Sequence, residues 1–198
     1  ETIPDSGGPG KNRGGNGLRI GYRFLEPGEI SVHDDRWLTY PWGVNGGLPG
    51  ARSRKTLMRA DGTQQLLESK LDRVKVEAGD LLLADTWGGG GCGDPLEREA
   101  EAVRFDVDAG LVTIEGARRY GVVIKADGAL DEAATVALRK KMAVERGPAQ
   151  LFDRGFKSID ELKARCKAET GLEPPTQPQF TKWAKRLTEE RRKGVKVA

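Results

Sequence analysis

The residues of this 198-residue chain that could do chemistry are few, and most stand among glycines. Cys92 lies in the run Gly88-Gly89-Gly90-Gly91-Cys92-Gly93, after an apolar stretch and just before a helix start at Asp94-Pro95. A thiol in that setting can have a lowered pKa, and it becomes a nucleophile when a base stands beside it. The one histidine is His33, and nothing in the spacing brings it to Cys92, so a small packed thiol is the simpler account. The glycine run also invites a phosphate-loop reading, because free N–H groups at a helix start attract anions. It lacks the lysine of a Walker loop and the βαβ setting of a dinucleotide fingerprint, and Asp94 would repel a phosphate there. A tight backbone crossing or a substrate-facing loop fits better.

His33-Asp34-Asp35 offers one nitrogen and adjacent carboxylates, which is no metal-ligand pattern by itself; both aspartates can cap the turn that follows. Arg36 beside Trp37 can stack or bind an anion. Arg13 sits in the first glycine loop, where a guanidinium and backbone N–H groups can together cradle an oxyanion or carboxylate. The candidate cavity residues are therefore Ser6, Gly7, Gly8, Arg13, Gly14, Gly15, Asp35, Arg36, Gly90, Gly91 and Cys92. No catalytic group is identified and no metal ligand is assigned.

The elements that must hold these residues are strands first and helices later, which argues for an α+β fold: a glycine-rich β domain followed by C-terminal helices. Leu18 to Phe24 alternates with period two, as a half-buried strand does. Glu26-Pro27-Gly28-Glu29 turns it into Ile30–His33, so the two are expected to form a hairpin. Further strands are expected at 55–58, within 66–76 and at 81–84. Asp94-Pro95-Leu96-Glu97 starts a helix with Leu96, Ala100, Val103 and Val107 at helical spacing and Gly110 as its stop. A second short helix starts at Thr113, and 121–124 reads as a short strand. Leu130–Arg146 and the stretch after Ser158 read as helices, Ile159, Leu162 and Cys166 facing one way in the second. A proline-containing linker, 173–178, leads to a last stripe of Phe180, Trp183, Ala184 and Leu187 that suits docking. The expected division is 1–93 as the glycine-rich β region, 94–126 as capped helices and a short strand completing it, and 127–198 as a helical extension.

Composition narrows the function classes. Nineteen of the 27 glycines fall in residues 1–93, without the period of collagen. The net charge is +3, and the basic run after Lys182 contains only Trp183 as an aromatic, so a solvated helix face explains it better than nucleic-acid binding. Two distant cysteines suit a reducing, cytoplasmic setting. No apolar run approaches the ~20 residues of a membrane span. The chain opens on Glu1, which suggests that its true start lies upstream.

Taken in order, DSGGPGKNRGGNG, DDRWLTYPWGVNGGLPG, RADGT, GDLLLADTWGGGGCGDPLEREAEAV and DAGLVTIEGARRYGVVI resemble the C-terminal third of the hydantoinase B/oxoprolinase family, over roughly Pro4 to Ile124. The resemblance implies a cytoplasmic subunit that works with a hydantoinase A-type ATP-binding partner. Family members open cyclic amides such as hydantoin, oxoproline or lactams after phosphorylating the substrate oxygen. Their relatives carboxylate ketones such as acetone or acetophenone. ATP and Mg would be bound by the partner, and a divalent metal by the N-terminal remainder of the subunit, so the family's metal ligands do not carry over to His33 or Asp34. A non-catalytic docking module is a third reading. The sequence departs from the family at Cys92, where an aromatic is common, in a shorter Arg118-Arg119-Tyr120 run, and in the extension from Ala129. Its small size implies a fragment or one piece of a split subunit, inactive alone.

Overall fold

The structure is a computed structural model that describes residues 1–175. The strands are β1 (Arg19–Arg23), β2 (Gly28–His33), β3 (Gly43–Val44), β4 (Arg54–Met58), β5 (Gln64–Leu66), β6 (Lys70–Val76), β7 (Leu81–Asp85) and β8 (Phe152–Asp153). The apolar run at 81–84 becomes an inner strand of the main antiparallel sheet, ordered β1-β7-β4-β5. β2 and β6 pair separately with a register shift between Ile30 and Val32, and β3 pairs with β8. Val32, Leu57, Leu67 and Val76 fill the space between the main sheet and the β2–β6 ladder, with Phe24, Leu71 and Leu82 packed around them. Burying such side chains stabilises by ~1.5–3 kcal/mol each. Trp37 is 1% exposed, and its indole N–H donates to Leu67 O at 3.0 Å.

The helices are α1 (Ala100–Asp108), α2 (Ile114–Ala117), α3 (Glu132–Arg146) and α4 (Ile159–Thr170). Val103, Val112, Ala117, Tyr120, Val122 and Ile124 form a second core with Ala100, Val107 and Leu130 at its border. Side chains cap three of the helices: Thr113 Oγ1 accepts from Gly116 N and Ser158 Oγ from Glu161 N, both at the starts the sequence marks, and Asp131 Oδ1 accepts from Ala134 N, so that α3 begins two residues after the expected Leu130. The α+β class is as the sequence implies.

Four local expectations are corrected. β1 and β2 do not form a hairpin; β1 pairs with β7 and β2 with β6, because each apolar row finds a more apolar partner across the fold than its sequence neighbour. β1 is not half-buried, since all five of its residues are exposed at the sheet edge. The helix expected from Asp94 is broken: Pro95–Glu97 is a single 3-10 turn capped by Asp94, Arg98 is extended, and α1 begins only at Ala100. Residues 121–124 form no strand, only a bridge from Ile124 to Leu130. Leu162 and Cys166 are buried under α4, while Ile159 is exposed. The stripe at Phe180–Leu187 and the basic run after Lys182 lie outside the described residues.

Candidate functional site

The three glycine loops converge into one backbone braid. Gly8 N donates to Gly89 O at 2.8 Å, Gly14 N to Gly8 O at 2.9 Å, Gly89 N to Gly15 O at 2.8 Å, and Gly91 N to Leu48 O at 2.9 Å. Asn12 and Cys92 exchange both backbone hydrogen bonds, and Val44 N donates to Gly91 O. Segments packed this closely leave no room for side chains. A Cβ on Gly14 would lie 2.1 Å from Gly89 O, and one on Gly90 would lie 1.8 Å from Trp42 O. Gly15 is different, with nothing within 4 Å of its would-be Cβ. Ser6 ties the braid to the strands: its Oγ donates to Ile3 O at 2.6 Å and accepts from Gly17 N at 2.8 Å. Gly7 N donates to Asn16 Oδ1, an oxygen that also accepts from the Arg13 guanidinium at 2.8 Å.

Ser6, Gly7, Gly8, Arg13, Gly14, Gly15, Gly90, Gly91 and Cys92 are thus brought together. The amides of Gly7, Gly8, Gly14, Gly91 and Cys92 donate within the braid. Arg13 is mostly buried, donates to Gly14 O, and lies 3.4 Å from Asp106, which also takes Arg98 at 2.8 Å. Tyr120 belongs to the same buried neighbourhood, where burial pushes its phenol up to about 12. Asp5 joins the first loop to the helices: it takes a left-handed φ of 61° and accepts from Thr113 N at 3.0 Å and Thr113 Oγ1 at 2.6 Å.

Asp35 and Arg36 lie apart from the braid, on the turn after β2. Asp35 is exposed, and its hydrogen bond and ion pair with Lys70 hold its carboxyl below the usual range. Its neighbour Asp34 is buried, accepts from Ser53 Oγ at 2.5 Å, from Arg36 N at 3.2 Å, and pairs with Lys55. His33 is exposed, with Nε2 3.5 Å from Asp72. The oxygens of Asp34 are therefore occupied, and among the described residues no group of three or more His, Cys, Asp or Glu could hold a metal ion. The donors present do not fit a divalent metal ion.

Arg36 stacks over Trp42 with its guanidinium carbon 4.9 Å from the ring centroid. With Thr39, Tyr40, Trp42, Phe152, Arg154 and Phe156 it lines a cleft of about 260 Å³. Beside this cleft, Arg52 is buried over the Tyr40 ring at 4.4 Å, donates to Leu38 O, and pairs with Glu169 of α4. Burial lowers the Arg52 pKa. Guanidinium groups beside aromatic faces suit an anion carried on an apolar body. Sequence reasoning missed Tyr40, Arg52, Phe152, Arg154 and Glu169. Arg36, Tyr40 and Trp42 stand within one short run, but no periodicity ties that run to residues more than a hundred positions later.

Residues 1–95 match the protein-family model described as Hydantoinase B/oxoprolinase. Caprolactamase subunit beta of Pseudomonas jessenii is 39% identical over 150 residues, which cover 69% of this chain and 24% of that protein. Acetone carboxylase alpha subunit of Xanthobacter autotrophicus is 30% identical over 188 residues, covering 71% of this chain and 23% of the other. The crystal structure of the ATP-dependent caprolactamase from Pseudomonas jessenii superposes with a TM-score of 0.58 at 34% identity, covering 71% of this chain and 25% of that one. The chain spans about a quarter of the length of each of these relatives. Over residues 1–95, this chain is therefore similar to the hydantoinase B/oxoprolinase family.

Proposed function

We propose that this chain is the C-terminal module of an ATP-dependent cyclic amidohydrolase subunit of hydantoinase B/oxoprolinase type. The observation that carries the reading is the 39% identity to caprolactamase subunit beta, joined by the likeness to the ATP-dependent caprolactamase structure. On this reading the substrate is a hydantoin, oxoproline or another lactam. A hydantoinase A-type partner binds ATP and Mg, the N-terminal remainder of the subunit supplies the divalent metal, and the assembly works in the cytoplasm. Among the described residues no helix is long and apolar enough to cross a membrane. The module by itself contributes no complete catalytic set. Its glycine braid fixes the backbone that shapes one side of the substrate cavity, through Ser6, Gly7, Gly8, Gly14, Gly15, Gly90, Gly91 and Cys92. Arg13 and Arg36 supply positive charge from within the braid and from the aromatic cleft, and Asp35 flanks Arg36.

A second reading, a module of an ATP-dependent ketone carboxylase, is favoured by the 30% identity to acetone carboxylase alpha subunit. One assay separates the two. The complete complex is given ATP with hydantoin or caprolactam, or ATP with acetone and bicarbonate. The first reading expects ATP turnover coupled to ring opening, and turnover only with ketone and bicarbonate overturns it. Arg13→Ala and Arg36→Ala should lower kcat/KM in the complex by at least about tenfold. Unchanged kcat/KM with weakened subunit association would leave a purely docking role.

A further inference from the structure

One edge of the main sheet is built to receive another strand. Along β1, alternate residues face β7: Thr86 N donates to Leu18 O at 2.8 Å, and Phe24 N donates to Asp80 O at 2.9 Å. Arg19 faces the other way. Its N–H donates to Glu1 O at 2.8 Å, and its carbonyl accepts from the Glu1 amino group at 3.1 Å. Ile3 N donates to Gly17 O, and Thr2 bridges Leu18 in the antiparallel sense. A neighbouring strand is therefore begun beside the first residue of β1. Period two then directs the N–H and C=O groups of Gly21 and Arg23 outward, two further steps of the same ladder.

The side chains agree with the backbone. Tyr22 lies opposite Leu82, and Leu82 lies opposite the fully buried Leu57, so β1 continues the apolar face that makes the core. The core shared with β2 and β6 takes in Leu57 and Leu82 of the inner strands and no residue of β1. Leu18, Ile20 and Tyr22 remain 45%, 37% and 52% exposed. An open edge with an apolar row and neither proline nor lysine is a template for pairing.

We propose that the β1 edge is the surface on which an extended segment from the remaining part of a hydantoinase B-type subunit adds as an antiparallel strand. Its backbone pairs with Gly21 and Arg23, and its alternate apolar side chains cover Ile20 and Tyr22. The proposal rests on the reading that this chain is one part of such a subunit, and this chain covers only 24% of caprolactamase subunit beta. Strand addition of this kind takes affinity from main-chain hydrogen bonds and specificity from alternate side chains.

Hydrogen exchange on the 198-residue chain alone and in the complete subunit tests it. The Gly21 and Arg23 amides should exchange fast in the chain alone and slow by about tenfold or more in the assembly, while Ile20 and Tyr22 stay protected in both. Arg23→Pro removes an outward N–H together with the guanidinium bond to Gly79 O, which Arg23→Ala removes as well, and Tyr22→Lys places a charge in the apolar row. Both should leave the circular dichroism of the chain unchanged and weaken association with the remainder by about tenfold. Arg23→Ala, which keeps the N–H, should associate normally. Assembly with Gly21 and Arg23 exchanging as fast as before overturns this proposal and leaves the functional reading intact. Protection that grows with the concentration of the chain alone assigns the edge to a second copy and overturns the named occupant. Failure of any hydantoinase B-type remainder to assemble overturns the functional reading itself.

Discussion

Each glycine in the braid answers to a particular neighbouring atom, so their substitutions should differ sharply. Gly90→Ala forces a Cβ to 1.8 Å from a backbone carbonyl that no rotamer change can move, whereas Gly15→Ala meets nothing within 4 Å. Gly90→Ala is expected to destabilise by about 3 kcal/mol or more and Gly15→Ala by less than ~0.5 kcal/mol, measured by urea unfolding. The sequence marked both positions alike. Composition shows that glycine is required in a loop but not which glycines have a neighbour, because that depends on a crossing strand tens of residues away. Arg13 illustrates the same limit: its loop was legible, but its partners Asn16 and Asp106 were not. A second prediction at this scale concerns Asp80. Its carboxylate accepts from Glu77 N at 3.0 Å, then from Arg59 and Ala60 N, each at 2.9 Å, and these bonds hold its pKa below the usual range. A lowered folded pKa contributes stability that is fully present above the unfolded value of about 3.9 and is lost as pH falls through the folded value. The Tm should therefore fall on acidification below about pH 4, and Asp80→Asn should be less stable at neutral pH with a shallower acid decline.

At the scale of elements, local signals set the helix starts and long-range pairing set the strand partners. The side-chain caps at Thr113 and Ser158 are where the sequence places them, because a cap is a contact within four positions, whereas α3 is capped by Asp131, one residue inside the start expected at Leu130. The β1–β2 hairpin expectation failed for the opposite reason: a turn at 26–29 permits a hairpin, but burial of Leu82 and Val76 decides which strands pair. The helix expected from Asp94 failed at Arg98, whose extended backbone lets its guanidinium reach Lys11 O at 3.0 Å and Asp106 at 2.8 Å. α4 depends on Leu162 and Cys166, which are 1% and 0% exposed, and on the pairing of Glu169 with Arg52. Leu162→Ala should cost ~2–5 kcal/mol of α4 docking and release the helix without melting the sheet. A thiol reagent followed over time checks this: Cys166 should label at least about tenfold faster in the variant, and Cys92 should label at an unchanged rate.

For the whole molecule, the question is how far the helical extension is part of the fold that carries the glycine braid. Both apolar cores are built from residues between Phe24 and Leu130. α3 adds to them locally, since Thr135 Oγ1 accepts from Val123 N at 3.0 Å and Arg139 donates to Arg98 O and Tyr120 O. Residues beyond Gly147 contribute differently. β8 supplies Phe152 against Trp42, with ring centroids 5.4 Å apart, and α4 supplies Glu169 to Arg52. They complete the arginine-aromatic cleft rather than either core. A chain ending at Arg146 should accordingly still unfold cooperatively, with both cores intact and a Tm lower by several degrees, since a loss of ~1 kcal/mol moves the Tm of a domain this size by ~2–4 °C. Trp42 fluorescence should shift red in the truncated chain as Phe152 leaves its ring. Calorimetry and fluorescence on the two lengths decide it. A truncated chain with no cooperative transition would make the extension an inseparable part of the β region, and would move the division of the molecule from 126 to a point beyond α4.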